Sequence, residues 1–238
     1  MSIITRAIAS GSKGNCYHVT DGDTPLLLEC GIRFKDIQEA LSFRTSELAG
    51  CLVSHEHKDH CLAAHDLSKR GVDVLMSAGT IKSLFTKDNL HFRTHTIRAN
   101  EQFRLGSWII LPFEAIHDAA EPLCFLLYSD RTKEKLLFAT DTAYIKYRFN
   151  GLTHIMIECN HDMEVMRDNV SSGKIHYGHK RRVMHNHMSL STVLNFLRTN
   201  DLSALKEIYL LHMSDDNSNM QNMMQKVSEI TNTIVYAP

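Results

Sequence analysis

The densest concentration of metal-ligating side chains in this sequence is Ser54-His55-Glu56-His57-Lys58-Asp59-His60, where five potential ligands fall within seven residues. The apolar run Gly50-Cys51-Leu52-Val53 before it reads as a short buried strand, and residues 61–70 after it read as a helix. The ligands are therefore expected on a strand-to-helix turn. His55 and His57, two apart on an extended loop, can present both imidazoles to one point. Asp59 and His60, at the helix start, can offer a carboxylate and an imidazole to a second point about 3.5–4 Å away, the separation of paired catalytic metals. A solvated polar turn is the competing explanation, because a chain with 15 histidines can cluster some by chance.

His55-x-His57-x-Asp59-His60 resembles the signature of the metallo-β-lactamase superfamily. That resemblance implies an α/β fold, an αββα four-layer sandwich, and it requires three further ligands in order. His117 follows the strand-like Trp108-Ile109-Ile110-Leu111-Pro112-Phe113. Asp141 closes the apolar run 136–139 and opens Asp141-Thr142-Ala143, and His212 follows Ile208-Tyr209-Leu210-Leu211. Singly, each is an ordinary loop histidine or a helix-capping aspartate. In register, the resemblance assigns His55, His57 and His117 to one divalent cation, and Asp59, His60 and His212 to another, with Asp141 bridging. Imidazoles and carboxylates without a thiolate cluster suit zinc first, and manganese or iron as well. Two such ions activate a shared water and stabilise charge on the attacking and leaving oxygens, which is hydrolase chemistry. The resemblance also places an aspartate where this chain has Glu29, in a position that orients a ligand histidine. Glutamate is one methylene longer, and small displacements matter in that role.

The remaining residues must supply the scaffold. At 238 residues and 43% hydrophobic content the chain can bury a sizeable core, and residues 1–238 are expected to form a single hydrolase domain. Cysteines 16, 30, 51, 61, 124 and 159 show no C-x-x-C spacing and lie in or beside apolar strands, so they read as buried free thiols of a reducing compartment. No apolar run reaches membrane-spanning length and no secretion signal opens the chain, which points to the cytoplasm. Strand-like segments at 3–8, 16–20, 25–29, 50–54 and 72–76 interleave with helical patterns at 34–43, 61–70 and 78–86. A second set of strands at 108–114, 123–129, 135–140, 153–158 and 207–211 interleaves with helices near 161–169, 189–199 and 215–230. The order fits two sheets with helices outside.

Ala9-Ser10-Gly11-Ser12-Lys13-Gly14-Asn15 lacks the spacing of a phosphate-binding loop and reads as a glycine turn. It is similar to a branch of the superfamily that includes the WalJ/YycJ-type exonucleases and the phage anti-Pycsar cyclic-nucleotide phosphodiesterases. That similarity extends through 121–125, 158–162 and 187–189. Residues 174–187 carry four histidines and four Lys or Arg in a chain of formal charge −1. They read either as solvated surface or as an anion site in which Arg181 or Arg182 meets phosphate oxygens. His187 precedes a helix that Ser189 or Ser191 can cap. In phosphodiesterases of the resembled fold such a histidine protonates the leaving oxygen or contacts phosphate, so His187 and Asp59 are the expected catalytic residues. His161 and Asp162 are expected to be structural or to stand behind the ligands without being ligands themselves, and His65 to lie on a helix surface.

Three function classes follow. The first, which the resemblance favours, is a homodimeric phosphodiesterase opening 3′,5′-cyclic nucleotides (cyclic CMP and cyclic UMP, with cyclic AMP and cyclic GMP also accepted). In a phage-encoded protein this would defeat a host defence that signals through them. The second is a DNA or RNA nuclease, which a sequence pI near 6.9 disfavours because phosphate-backbone binding draws on many Lys and Arg. The third is a thioesterase-type hydrolase, which the basic segment and His187 disfavour.

Overall fold

The computed structural model describes residues 2–214 and 216–238. Asp215, where the last expected helix was to begin, lies outside the described residues, as does the side chain of His179 in the basic segment. The chain is mixed α/β and divides into two compact units, residues 1–114 with 119–134 and residues 115–118 with 135–238.

In the first unit, β1 (Ile4–Ala9), β2 (Cys16–Thr20), β3 (Leu26–Leu28), β4 (Gly50–Leu52), β5 (Val74–Met76) and β6 (Thr94–Thr96) form one sheet in sequential order. The first three strands are antiparallel and the last four parallel, β3 being common to both runs. Parallel strands cannot be joined by a tight hairpin, so the crossovers carry helices. These are α1 (Phe34–Ala40) after β3, α2 (Lys58–Cys61) and α3 (Ala64–Lys69) after β4, and α4 (Ala78–Leu84) after β5. β3, β4 and β5 are buried throughout, as their unbroken apolar sequences require. Cys16, Cys30, Cys51 and Cys61 pack in this core with Leu27, Ile37 and Leu67. All six cysteines are buried and free of disulfides. The unit also contains an antiparallel meander of β7 (Phe103–Leu105), β8 (Trp108–Glu114) and β9 (Leu123–Ser129), with β8 and β9 in continuous register from Trp108↔Ser129 to Glu114↔Leu123.

The second unit is built on parallel strands β10 (Lys135–Ala139), β11 (His154–Glu158), β12 (Glu207–Leu211) and β13 (Ile234–Tyr236). α5 (Met163–Ser171), α6 (Tyr177–Asn186) and α7 (Leu190–Thr199) lie between β11 and β12, and α8 (Met220–Thr231) precedes β13. Asp162 caps α5 and Ser189 caps α7 through side-chain acceptors, the latter as the sequence indicated. α6 differs from expectation, since residues 174–187 carry no apolar period and gave no helical signal. Among its described side chains only Val183 is buried, and Tyr177 and Met184 are exposed. A helix that is polar all round leaves no periodic stripe to read. No helix among the described residues is long and apolar enough to cross a membrane.

Candidate metal centre

The chain leaves β4 at Leu52 and enters α2 at Lys58, so His55, Glu56 and His57 occupy the extended turn between them. His55 Nε2 lies 2.9 Å from His57 Nδ1, and Ser54 Oγ holds His55 Nδ1 at 2.8 Å. With Nδ1 engaged by the hydroxyl, Nε2 is the His55 nitrogen turned toward its neighbour. Asp59 and His60 stand on the first turn of α2, with Asp59 Oδ2 3.4 Å from His60 Nε2.

Two short segments hold this turn in place. Glu29, fully buried and at φ +63, accepts the Ser54 amide on both carboxylate oxygens at 3.2 and 3.3 Å. Its Oε2 lies 3.7 Å from His60 Nδ1. Burial pushes the Glu29 carboxyl above its usual range, and His60 and Ser54 oppose that rise. With its longer side chain Glu29 reaches both the Ser54 amide and the His60 imidazole. The second segment is the glycine turn before β2. The Asn15 amide donates to Asp59 O at 2.7 Å, and its side-chain nitrogen lies 3.3 Å from both Asp59 O and His60 Nε2. Tyr17 Oη and the Gly11 amide fix Asn15 Oδ1. Gly31 is required for close approach, since a Cβ there would stand 1.6 Å from Asp59 O.

The second unit gathers its own donors around one buried carboxylate. Asp141 (φ +45) follows β10 and His212 (φ +50) follows β12, so both leave their strands through left-handed backbone. Left-handed conformations at non-glycine residues concentrate at functional sites. Glu158, at the end of β11, is wholly buried. Its Oε1 lies 2.6 Å from His187 Nδ1 and 3.1 Å from His212 Nδ1, and Oε2 accepts the amides of Thr142 and Met188. Asp141 Oδ1 lies 3.1 Å from His212 Nδ1, and Asp141 Oδ2 lies 3.5 Å from His117 Nε2. Asp141, Glu158, His187 and His212 each offer a ligand atom within 4.8 Å of the others. His117 Nδ1 donates to the Asn186 carbonyl at 3.0 Å, which fixes the proton on that nitrogen and leaves the Nε2 lone pair for a ligand bond.

The electrostatics follow from these distances. Burial alone would raise the Glu158 carboxyl, but His187 and His212 hold it below its usual range. Burial alone would lower His187, but Glu158 holds it above. Each partner thus favours the charged form of the other, and His187 Nε2 is the ring nitrogen turned away from Glu158. Burial lowers His117, against the pull of Asp141. Burial lowers His161 to about 4.

Imidazole nitrogens and carboxylate oxygens converging within ligand-sharing distances, in groups that include no cysteine among the described residues, fit zinc, manganese or iron. Two residues that received no role from the sequence matter here. Glu158 looked like the polar end of a buried strand, and Asn15 like part of a turn. The signal for Glu158 was a carboxylate closing five buried positions, where an unpaired charge is costly. Arg181 and Arg182 are exposed on α6, and Arg181 lines a cavity of about 280 Å³ with Tyr177, Lys180, Met184 and His185. None of the candidate ligands lines that cavity.

The family model for a beta-lactamase superfamily domain matches residues 26–213. Over 97% of its length the chain is 28% identical to exodeoxyribonuclease YycJ of Bacillus anthracis, of which the match covers 89%. It is 27% identical to exodeoxyribonuclease WalJ of Streptococcus pneumoniae, over 89% of this chain and 81% of that one. Among solved structures it is similar to the metallo-β-lactamase fold protein YhfI of Bacillus subtilis, with TM-score 0.71 and 14% identity over 100% of this chain and 97% of that one. It is also similar to unliganded yeast PDE1, with TM-score 0.70 and 10% identity over the same shares. The chain belongs to the beta-lactamase superfamily, and its fold is the metallo-β-lactamase fold that His55-x-His57-x-Asp59-His60 implied.

Proposed function

We propose that this hydrolase is a divalent-metal-dependent phosphodiesterase. In this reading His55, His57 and His117 hold one ion and Asp59, His60 and His212 the other, with Asp141 shared between them and zinc as the first choice. The ions, when bound, supply an activated water and neutralise charge on phosphate oxygens. Glu29 and Asn15 keep Asp59 and His60 in position. Arg181 and Arg182 contact substrate phosphate from α6, whose last carbonyl anchors His117. His187 donates the proton of its Nε2 to the leaving sugar oxygen, and Glu158 keeps that imidazole charged and oriented.

The observation that carries the reading is the 2.6 Å pairing of Glu158 with His187 beside Asp141 and His212. A buried carboxylate that holds an imidazole protonated next to a ligand cluster is the arrangement a general acid needs. A thioester expels a thiolate, which is far less basic than a sugar alkoxide and does not call for a proton at that place.

The substrate we assign is a 3′,5′-cyclic mononucleotide, cyclic CMP and cyclic UMP first, acted on by a homodimer. A nearly neutral chain favours a small phosphodiester over a long polyanion. The second reading is an exodeoxyribonuclease, favoured by the names of the two relatives that align over most of their lengths. A panel of the four cyclic mononucleotides, single- and double-stranded DNA, short RNA and a lactoylglutathione-type thioester separates them. Turnover of the cyclic nucleotides with intact polymers is the expected result. Degraded DNA with untouched cyclic nucleotides establishes the second reading, and thioester cleavage alone overturns both.

A further inference from the structure

Asn160 stands two residues beyond the end of β11 and is buried. β11 and β12 run parallel in register as far as Glu158↔Leu211, and the Cys159 amide continues that ladder by donating to the Leu211 carbonyl at 3.0 Å. At His212 the backbone turns left-handed (φ +50). Asn160 Nδ2 donates to the His212 carbonyl at 2.9 Å, and the Asn160 carbonyl accepts the Ser214 amide at 2.9 Å. One residue therefore brackets the turn 212–214 from both ends. Its own amide donates to the Met188 carbonyl at 2.9 Å, next to His187.

A left-handed conformation at a non-glycine residue persists only where its surroundings hold it. A buried carbonyl that loses its donor also pays for its lost hydration, so without the Asn160 side-chain amide the His212 peptide is driven to turn toward another donor. That turn re-aims the His212 imidazole, whose Nδ1 sits 3.1 Å from both Asp141 Oδ1 and Glu158 Oε1. We propose that Asn160 is a positioning residue, whose side-chain amide fixes the His212 main chain and through it the direction of the His212 ring. The bond from the Asn160 main-chain amide to Met188 survives a side-chain substitution, so variants at this position separate His212 from His187. The inference rests on the proposed function only in taking His212 as a metal ligand, and the orientation of the ring is readable without metal.

The test compares Asn160→Asp and Asn160→Ala with Asp21→Asn, a change in a buried hydrogen-bond network of the first unit. Two readouts are taken on the full chain: the His212 ring resonances by NMR without metal, and Zn²⁺ affinities by competition with a chelator. Aspartate keeps the shape of asparagine but sets an acceptor against the His212 carbonyl, and alanine removes the donor outright. Both should shift the His212 resonances and weaken one of the two Zn²⁺ sites roughly tenfold or more while sparing the other. Asp21→Asn should leave the His212 resonances and both affinities unchanged. Unmoved His212 resonances in the two Asn160 variants, or equal losses in Asp21→Asn, would overturn the proposal. A parent chain that binds no Zn²⁺ overturns the metal reading instead, and the His212 resonances then decide the inference alone.

Discussion

Glu158 Oε1 stands 2.6 Å from His187 Nδ1 and 3.1 Å from His212 Nδ1, so one buried carboxylate oxygen serves both the proposed proton donor and a proposed metal ligand. Two amides, those of Thr142 and Met188, hold the other oxygen and prevent the carboxylate from turning. Glu158→Gln keeps the shape and removes the charge. Because that charge holds the His187 imidazole above its ordinary range, the variant should lose protonated His187 at lower pH. A reaction that needs the protonated form declines as pH rises through that pKa. The alkaline limb of kcat should therefore move to lower pH in Glu158→Gln, with kcat down about 10²-fold. His187→Ala should abolish that limb while retaining metal, as read by elemental analysis.

Gly31 tests the positioning of the ligand turn. Any side chain there would have to displace the Asp59 carbonyl, which also receives the Asn15 amide. Gly31→Ala should cost metal at Asp59 and His60, read as a fall in bound metal per chain, while Gly11→Ala, where a Cβ meets nothing within 4 Å, should retain it. Gly11 is at φ +127, so that control carries a backbone cost of its own and should lower Tm modestly.

Glu29→Asp restores the residue usual in the family and withdraws the carboxylate by one methylene. In this chain that distance serves the Ser54 amide and His60 together, so the shorter residue should weaken metal binding about 10–100-fold. Competition with a chelator of known affinity measures it.

Stability should have an acid limb set away from the metal ligands. The buried Asp21 carboxylate accepts hydrogen bonds from Ser107 Oγ, Ser129 Oγ and the amides of Asp23 and Thr24. Burial alone would raise its pKa, but these four donors hold it below the ordinary 3.8. A carboxylate depressed on folding contributes stability in full above its unfolded pKa and loses it as pH falls through the folded one. The contribution should be intact above about pH 5 and fade below about pH 4. Asp21→Asn should cost about 1–3 kcal/mol at pH 7 and flatten that acid limb, as read by urea unfolding across pH.

The sequence disclosed what periodicity and motif spacing encode. β8 and β9 were placed residue for residue, and His55 and His57 lie on the turn between β4 and α2 as expected, while Asp59 and His60 stand on the first turn of α2, which begins at Lys58 and not after His60. α6 was hidden because helix formation there leaves no apolar stripe, and β6 and β7 because three-residue strands are too short to alternate. Glu158 was hidden for another reason. Its meaning lies in its partners, His187 at 29 and His212 at 54 residues' distance along the chain, and no local pattern encodes such a meeting. His65, assigned to a helix surface from its spacing to Cys61, lies half-buried on α3.

Hydrolysis of a phosphodiester should depend on metal held by these histidines and aspartates. The most direct measurement is phosphodiesterase turnover of the purified chain before chelation, after exhaustive chelation and after restoring Zn²⁺ or Mn²⁺, with bound metal counted in each state and in Asp141→Ala. The account predicts about two ions per chain, turnover that vanishes and returns with them, and loss of both metal and turnover in Asp141→Ala. Protein that contains no transition metal as purified, and hydrolyses phosphodiesters equally well after chelation, would contradict it.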